Sequence, residues 1–194
     1  MSSDNIGDEL DAVIRNRRKY APFWDWPDRK IKEWDVVEEL LRSMRASGDC
    51  RYKTPVESVD DDPPDCVIRD SDGGRVGVEV TEFVDRKAVK RCQKNENVYR
   101  EWSEEAVREK IAQILADKDA KVEPRRGLYG NVILVIHTDE VALQSFELFP
   151  ILDASHFPRP QNIDEAYLIC SYEPALGYPY RKLNLDGQPS DPPA

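Results

Sequence analysis

PPDCVIRDSDGGRVGVEVTEFVD, running from Pro63 to Asp85, reads as two β-strands joined by a tight turn. Cys66-Val67-Ile68 and Val76-Gly77-Val78-Glu79-Val80-Thr81 flank Asp72-Gly73-Gly74, a composition that accepts the positive φ of hairpin turns. The second strand alternates, with Val76, Val78 and Val80 on one face and Gly77, Glu79, Thr81 and Phe83 on the other. Glu79 therefore sits in the middle of an apolar strand. Asp65 opens the neighbouring strand, so the hairpin can bring its carboxylate alongside that of Glu79. Two carboxylates held close repel unless a cation lies between them, and a divalent cation with hard oxygen ligands is the usual one. The plainer reading makes Glu79 a solvent-facing residue of a half-exposed sheet and Asp65 an ordinary turn residue after Pro-Pro.

Outward from the hairpin the pattern is that of an α/β protein. Upstream, a helix from Asp28 to Ser47 carries Val36, Val37, Leu40, Leu41 and Met44 on one stripe, at about 100° per residue. Glu33 projects into the same stripe near the helix start, where an unpaired buried charge would be costly. A short strand follows near Arg51 to Val56, then the acidic entry Asp60-Asp61-Asp62-Pro63-Pro64. Downstream, Asp85 to Asn97 is polar and reads as irregular or partly helical. A second long helix is expected over Val98 to Lys118, with Val107, Ile111, Ile114 and Leu115 as its apolar stripe and Lys118 on that stripe at the C-terminal end. Such a lysine can snorkel, so burial is not implied.

After the break VEPRRGLYG, the run Asn131 to Ile136 is uninterruptedly apolar, as in a strand covered on both faces. A short helix over Val141 to Leu148, a strand over Glu165 to Tyr172 and a further strand over Tyr178 to Leu185 complete the expectation. The organisation is one domain over 28–185, preceded by an N-terminal arm over 1–27 and followed by a loose Pro-rich tail over 186–194. Within the arm, Leu10, Val13 and Ile14 suggest a short helix, and Trp24 and Trp26 are expected to pack against the domain.

Length, charge and cysteines narrow the class. The 194 residues suffice for one sizeable core, and 40% hydrophobic with 34% charged residues describes a globular chain. No apolar run approaches the roughly 20 residues that span a bilayer, so a cytoplasmic protein without membrane association is expected. Cys50, Cys66, Cys92 and Cys170 lack metal-site spacing and read as reduced thiols. His137, at the end of an apolar strand, reads as a structural histidine in preference to a site residue. A net charge of −10 argues against non-specific coating of nucleic acid. The charge is uneven, however: residues 131–194 hold 3 Lys and Arg against 9 Asp and Glu. Any basic surface therefore comes from RNRRK (Arg15 to Lys19), DRKIK (Asp28 to Lys32) and DRKAVKR (Asp85 to Arg91).

The order helix, three strands, helix, strand, with Pro64-Asp65 opening the second strand and Gly77-Val78-Glu79-Val80 centred in the third, resembles the PD-(D/E)XK nuclease superfamily over about Asp28 to His137. The resemblance implies a restriction-endonuclease-like αβββαβ core, a mixed sheet flanked by helices, extended here by C-terminal strands. It makes Asp65 and Glu79 ligands of Mg²⁺ or Mn²⁺, the Val80 carbonyl a third ligand and Glu33 an accessory acid of the first helix. The activity implied is a magnesium-dependent endonuclease hydrolysing phosphodiester bonds of nucleic acid, DNA in preference to RNA, with a homodimer or a partner protein as further association. This chain departs from the pattern at Thr81, where the family carries lysine. Lys118 on the second helix is the best-oriented substitute, ahead of Lys110 and Lys121, and Thr81 can orient water only through its hydroxyl. Two other readings stand beside this one: a catalytically inactive nuclease-fold protein acting as a binding module, and an unrelated α/β domain with a coincidental Asp and Glu.

Overall fold

A computed structural model describes residues 18–59, 63–98 and 100–186. The expected helix around Leu10, Asp60 to Asp62, and the tail beyond Asp186 lie outside the described residues. In chain order the elements are α1 (Arg29–Ala46), β1 (Tyr52–Ser58), β2 (Cys66–Asp70), β3 (Arg75–Glu82), α2 (Arg86–Gln93), α3 (Glu104–Val122), β4 (Asn131–Thr138), α4 (Ser145–Asp153), β5 (Glu165–Cys170) and β6 (Tyr180–Lys182).

The strands form one open mixed sheet in the order β1-β2-β3-β4-β5-β6. β1, β2 and β3 are an antiparallel meander, β3-β4-β5 are parallel, and β6 returns antiparallel to β5. Asp70 organises the β2–β3 turn: its carboxylate accepts the N–H groups of Asp72 and Gly74, and Gly73 takes a φ of +88°. That left-handed value explains the glycine. The two edges are irregular. β1 carries the exposed Pro55 and a register shift between Lys53 and Glu57, and β6 has three residues.

Helices cover both faces. Val36, Val37, Leu40, Leu41 and Met44 of α1 pack on Val76, Val78, Val80, Ile133 and Val135, with Trp24 of the arm joining them. On the other face, Val107, Ile111, Ile114 and Leu115 of α3 and Leu148 and Leu152 of α4 meet Phe83, Leu134, Ile136 and Leu168. Both parallel connections pass over this face, as right-handed crossovers that advance in one direction across a sheet must. β4 is consequently buried on both sides, which its unbroken apolar sequence foreshadowed.

Several boundaries differ from the sequence reading. The polar stretch after Asp85 is a helix, α2, because Asp85 caps it by accepting the N–H groups of Lys87 and Ala88. α3 begins at Glu104, not Val98, since Ser103 caps it, and it continues past Lys118 to Val122. The expected Val141–Leu148 helix lies later in the chain, as α4. The last strand shrinks to Tyr180–Lys182. In the arm, Trp24 is fully buried, whereas Trp26 stays 47% exposed and so is not the second anchor expected of it. All four cysteines are free thiols. Among the described residues, no helix is long and apolar enough to cross a membrane.

Candidate functional site

Cys66 pairs with Val78 in the antiparallel β2–β3 ladder, so one step further along the register Asp65 faces Glu79. Residues directly opposite in such a ladder present side chains to the same face. The hairpin therefore aligns the two acids of the sequence reading. The ladder ends there because Asp65 substitutes its side chain for backbone: one carboxylate oxygen accepts the Val80 N–H at 2.7 Å. The other accepts from Arg29 Nη2 at 2.8 Å, and Arg29 Nε in turn donates to Glu33 at 2.5 Å. Arg29 and Glu33 stand four apart on α1, neighbours on its surface. This pair resolves the unexpected acid in the apolar stripe: Glu33 is buried but charge-paired.

Asp65 is itself buried, and its carboxyl is pushed up to about 6, first by burial and then by the nearby charge of Glu79. The Val80 N–H pulls the other way. Glu79 is fully buried. Its Oε1 accepts from Lys118 Nζ at 2.5 Å and from Lys121 Nζ at 2.9 Å. Its Oε2 is buried without a hydrogen-bond partner. Lys118 also donates to the Val80 carbonyl at 3.1 Å, which places that oxygen at the same locus.

Thr81 is half-buried beside Ile136, and the ammonium groups that reach Glu79 come from α3. Lys118 occupies the position anticipated for it. Lys121, ranked behind it in the sequence reading, also reaches Glu79, because one helical turn separates the two. Lys110 does not; it lines a cleft between α2 and α3. Arg29 was the residue sequence reasoning missed, although its spacing from Glu33 was a usable signal. Gly77, two positions before Glu79 on the same face, admits the ring of Tyr129: a Cβ there would lie 3.2 Å from the ring.

The gathered oxygens, two carboxylates and the Val80 carbonyl, are of the hard class that Mg²⁺ and Mn²⁺ take. Among the described residues, no group of three or more His, Cys, Asp or Glu could hold a metal ion. The third protein donor would therefore have to be backbone. Glu79 Oε2 is the atom of the set whose hydrogen-bonding capacity is unmet.

His137 belongs elsewhere. It shares a face of β4 with Ile133 and Val135, against α1, and its ring lies 5.6 Å from Trp24. Burial, then the charges of Lys32 and Arg18, hold it well below the usual histidine range, so it is a neutral core residue. A second polar cluster closes the C-terminal ends of β3 and β4. Arg18 pairs with Glu82, Phe23 N–H donates to Asp139 at 2.6 Å, and Tyr20 and Trp102 both donate to Glu140. These bonds fasten the arm to the sheet.

No family model matches the chain, and neither a curated protein nor a solved structure matches it.

Proposed function

We propose that this chain is a divalent-metal-dependent phosphodiesterase acting on nucleic acid, built on a restriction-endonuclease-like core. The observation that carries the reading is that Asp65 stands opposite Glu79 in the hairpin register while Lys118 pairs with Glu79 and the charges of both act on Asp65. Asp65, Glu79 and the Val80 carbonyl would hold Mg²⁺ or Mn²⁺, which when bound supplies Lewis-acid polarisation of the phosphodiester and a more acidic water. Lys118, anchored between Glu79 and the Val80 carbonyl, offers an ammonium to the charge that develops at phosphorus. Arg29 ties Glu33 to Asp65 and thereby fixes the Asp65 carboxylate from the α1 side. The ordering of elements, helix, antiparallel meander, crossover helix, parallel strand, supports the same family reading.

The second reading, a binding module with a silent site, draws on one specific observation: the protein's own cations already pair with both acids, Arg29 with Asp65 and Lys118 and Lys121 with Glu79. Calorimetric titration with Mn²⁺, together with cleavage of a labelled duplex, separates the two. The phosphodiesterase reading expects binding at sub-millimolar concentration and cleavage abolished by EDTA, by Asp65→Asn and by Glu79→Gln, with both variants folded. Absence of Mn²⁺ binding by the folded wild type, or cleavage that persists in both variants, defeats it.

A further inference from the structure

We infer that α2 and the half-buried Lys110–Lys121 flank of α3 form a docking track for the backbone of duplex DNA, leading to the Glu79 site. The inference rests on the nucleic-acid reading above and extends it to how the substrate is held. α2 and its C-cap present Arg86, Lys87, Lys90, Arg91 and Lys94 to solvent, while Ala88 on the inner side packs with Tyr20, Ala21 and Val84. Arg91 pairs with Glu96. Among the described residues, Arg86, Lys87, Lys90 and Lys94 have no acidic partner. Three cations left unneutralised on one short helix, with a fourth at its C-cap, are unusual in a chain of net charge −10, which can approach a polyanion only by its cationic face.

The patch continues toward the site. An open cleft of about 460 Å³ separates α2 from α3, lined by Arg86, Lys87, Arg100 and Lys110 against the acids Asp85 and Glu109. Arg100 is committed to Asp85, so Arg86, Lys87 and Lys110 carry the excess charge. On α3, Lys110 and Lys121 are eleven residues apart and fall within about 20° of each other around the helix. At about 1.5 Å per residue they lie roughly 16 Å apart along the axis. That distance corresponds to about five base-pair rises of duplex DNA. Lys121 is the residue already at Glu79.

The chemistry favours a duplex over a single strand. Single strands are gripped by aromatic platforms, and the aromatic side chain of this cleft, Trp102, is already stacked between Phe83 and Arg100. Gln113, a side chain able to read a 2′-hydroxyl, is engaged by Asp117. What the track offers is fixed positive charge, suited to regularly spaced phosphates.

The test is fluorescence anisotropy with a labelled 20-bp duplex in EDTA, where no cleavage is needed, across a salt series. The wild type should bind, and the variant R86Q/K87Q/K90Q/K94Q should bind more than tenfold more weakly near 0.1 M salt. The slope of its log K against log salt should shrink by about 3.6, at near 0.9 for each of the four phosphates that the variant leaves unneutralised. Lys110→Gln should weaken binding by a smaller factor, and Lys53→Gln, on the edge strand β1 away from the track, should leave it intact. An unchanged melting temperature verifies that the variants are folded. Equal affinity of wild type and quadruple variant overturns the inference, as does tighter binding to an RNA hairpin or to anionic phosphatidylserine vesicles than to the duplex. A protein that binds duplex through these residues but never cleaves it with Mg²⁺ or Mn²⁺ defeats the hydrolytic reading and leaves the docking track standing.

Discussion

Lys118 of α3 sets its ammonium 2.5 Å from the carboxylate of Glu79 on β3, across 39 positions of chain. The contact joins two residues that the sequence separates by α2 and most of α3. It also supplies, from a helix, the charge that Thr81 cannot supply from the strand. Because the ammonium bonds the Val80 carbonyl too, its position is fixed by two acceptors on consecutive residues.

On the phosphodiesterase reading proposed above, replacing Lys118 with Met should lower the cleavage rate by about 10²- to 10³-fold, the usual loss for one positioned group that stabilises transition-state charge. Lys121→Met should cost less, since the Lys121 side chain is 37% exposed against 17% for Lys118, and its charge is correspondingly better screened by water. In the K118M background, Thr81→Lys returns a cation to the strand position. Single-turnover rates should recover in part for T81K/K118M. A K118M protein as fast as wild type would remove Lys118 from the site's chemistry.

Asp139 should impose a pH dependence on stability. Its carboxyl is pushed up to about 6, chiefly by burial, with Glu82 and Glu140 adding to the rise while the Phe23 N–H and Arg18 oppose it. A raised acid means that the folded state binds the proton more tightly than the unfolded chain. This group's contribution is thus fully present below about pH 4 and is lost as pH rises to about 6, by up to about 3 kcal/mol. His137 acts oppositely: held neutral in the core, it withdraws stability as pH falls below the ordinary histidine range. Comparing Asp139→Asn with wild type by urea denaturation at pH 4.5, 5.5 and 7 isolates the first effect. The difference should shift in favour of the variant as pH rises; a constant difference would count against it.

Gly77→Ala should destabilise the fold by about 1–3 kcal/mol, the range for overpacking. The added Cβ would lie 3.2 Å from the Tyr129 ring, which is held in place by Arg75 stacked on it. Pairing the change with Tyr129→Ala should relieve the clash, so a double-mutant cycle by thermal denaturation should give a favourable coupling energy. Additive losses would show that the ring is free to yield.

Much of the fold was legible because it rests on local periodicity. The alternation of Val76, Val78 and Val80 assigned the faces of β3, and the apolar run from Asn131 placed β4 inside the sheet. Asp65 opposite Glu79 was readable because a hairpin fixes register. α2 was readable only as one of two alternatives, irregular or partly helical, as its sequence is nearly all cationic outside and only capping by Asp85 and the small contact of Ala88 make it a helix. Arg29 was passed over because an exposed arginine at a helix start looks like surface charge; only the tertiary approach of α1 to Asp65 gives it a partner. Which of Lys118 and Lys121 would reach Glu79 depended on side-chain length and helix rotation, and both do.

The open sheet ends in two strands that offer little to a newcomer. Pro55 offers no N–H within β1, the register shifts around it, and β6 is too short to template a long partner. Among the described residues, a partly unfolded neighbour meets only an irregular run and a three-residue run of backbone at the two borders of the sheet, poor templates for extension.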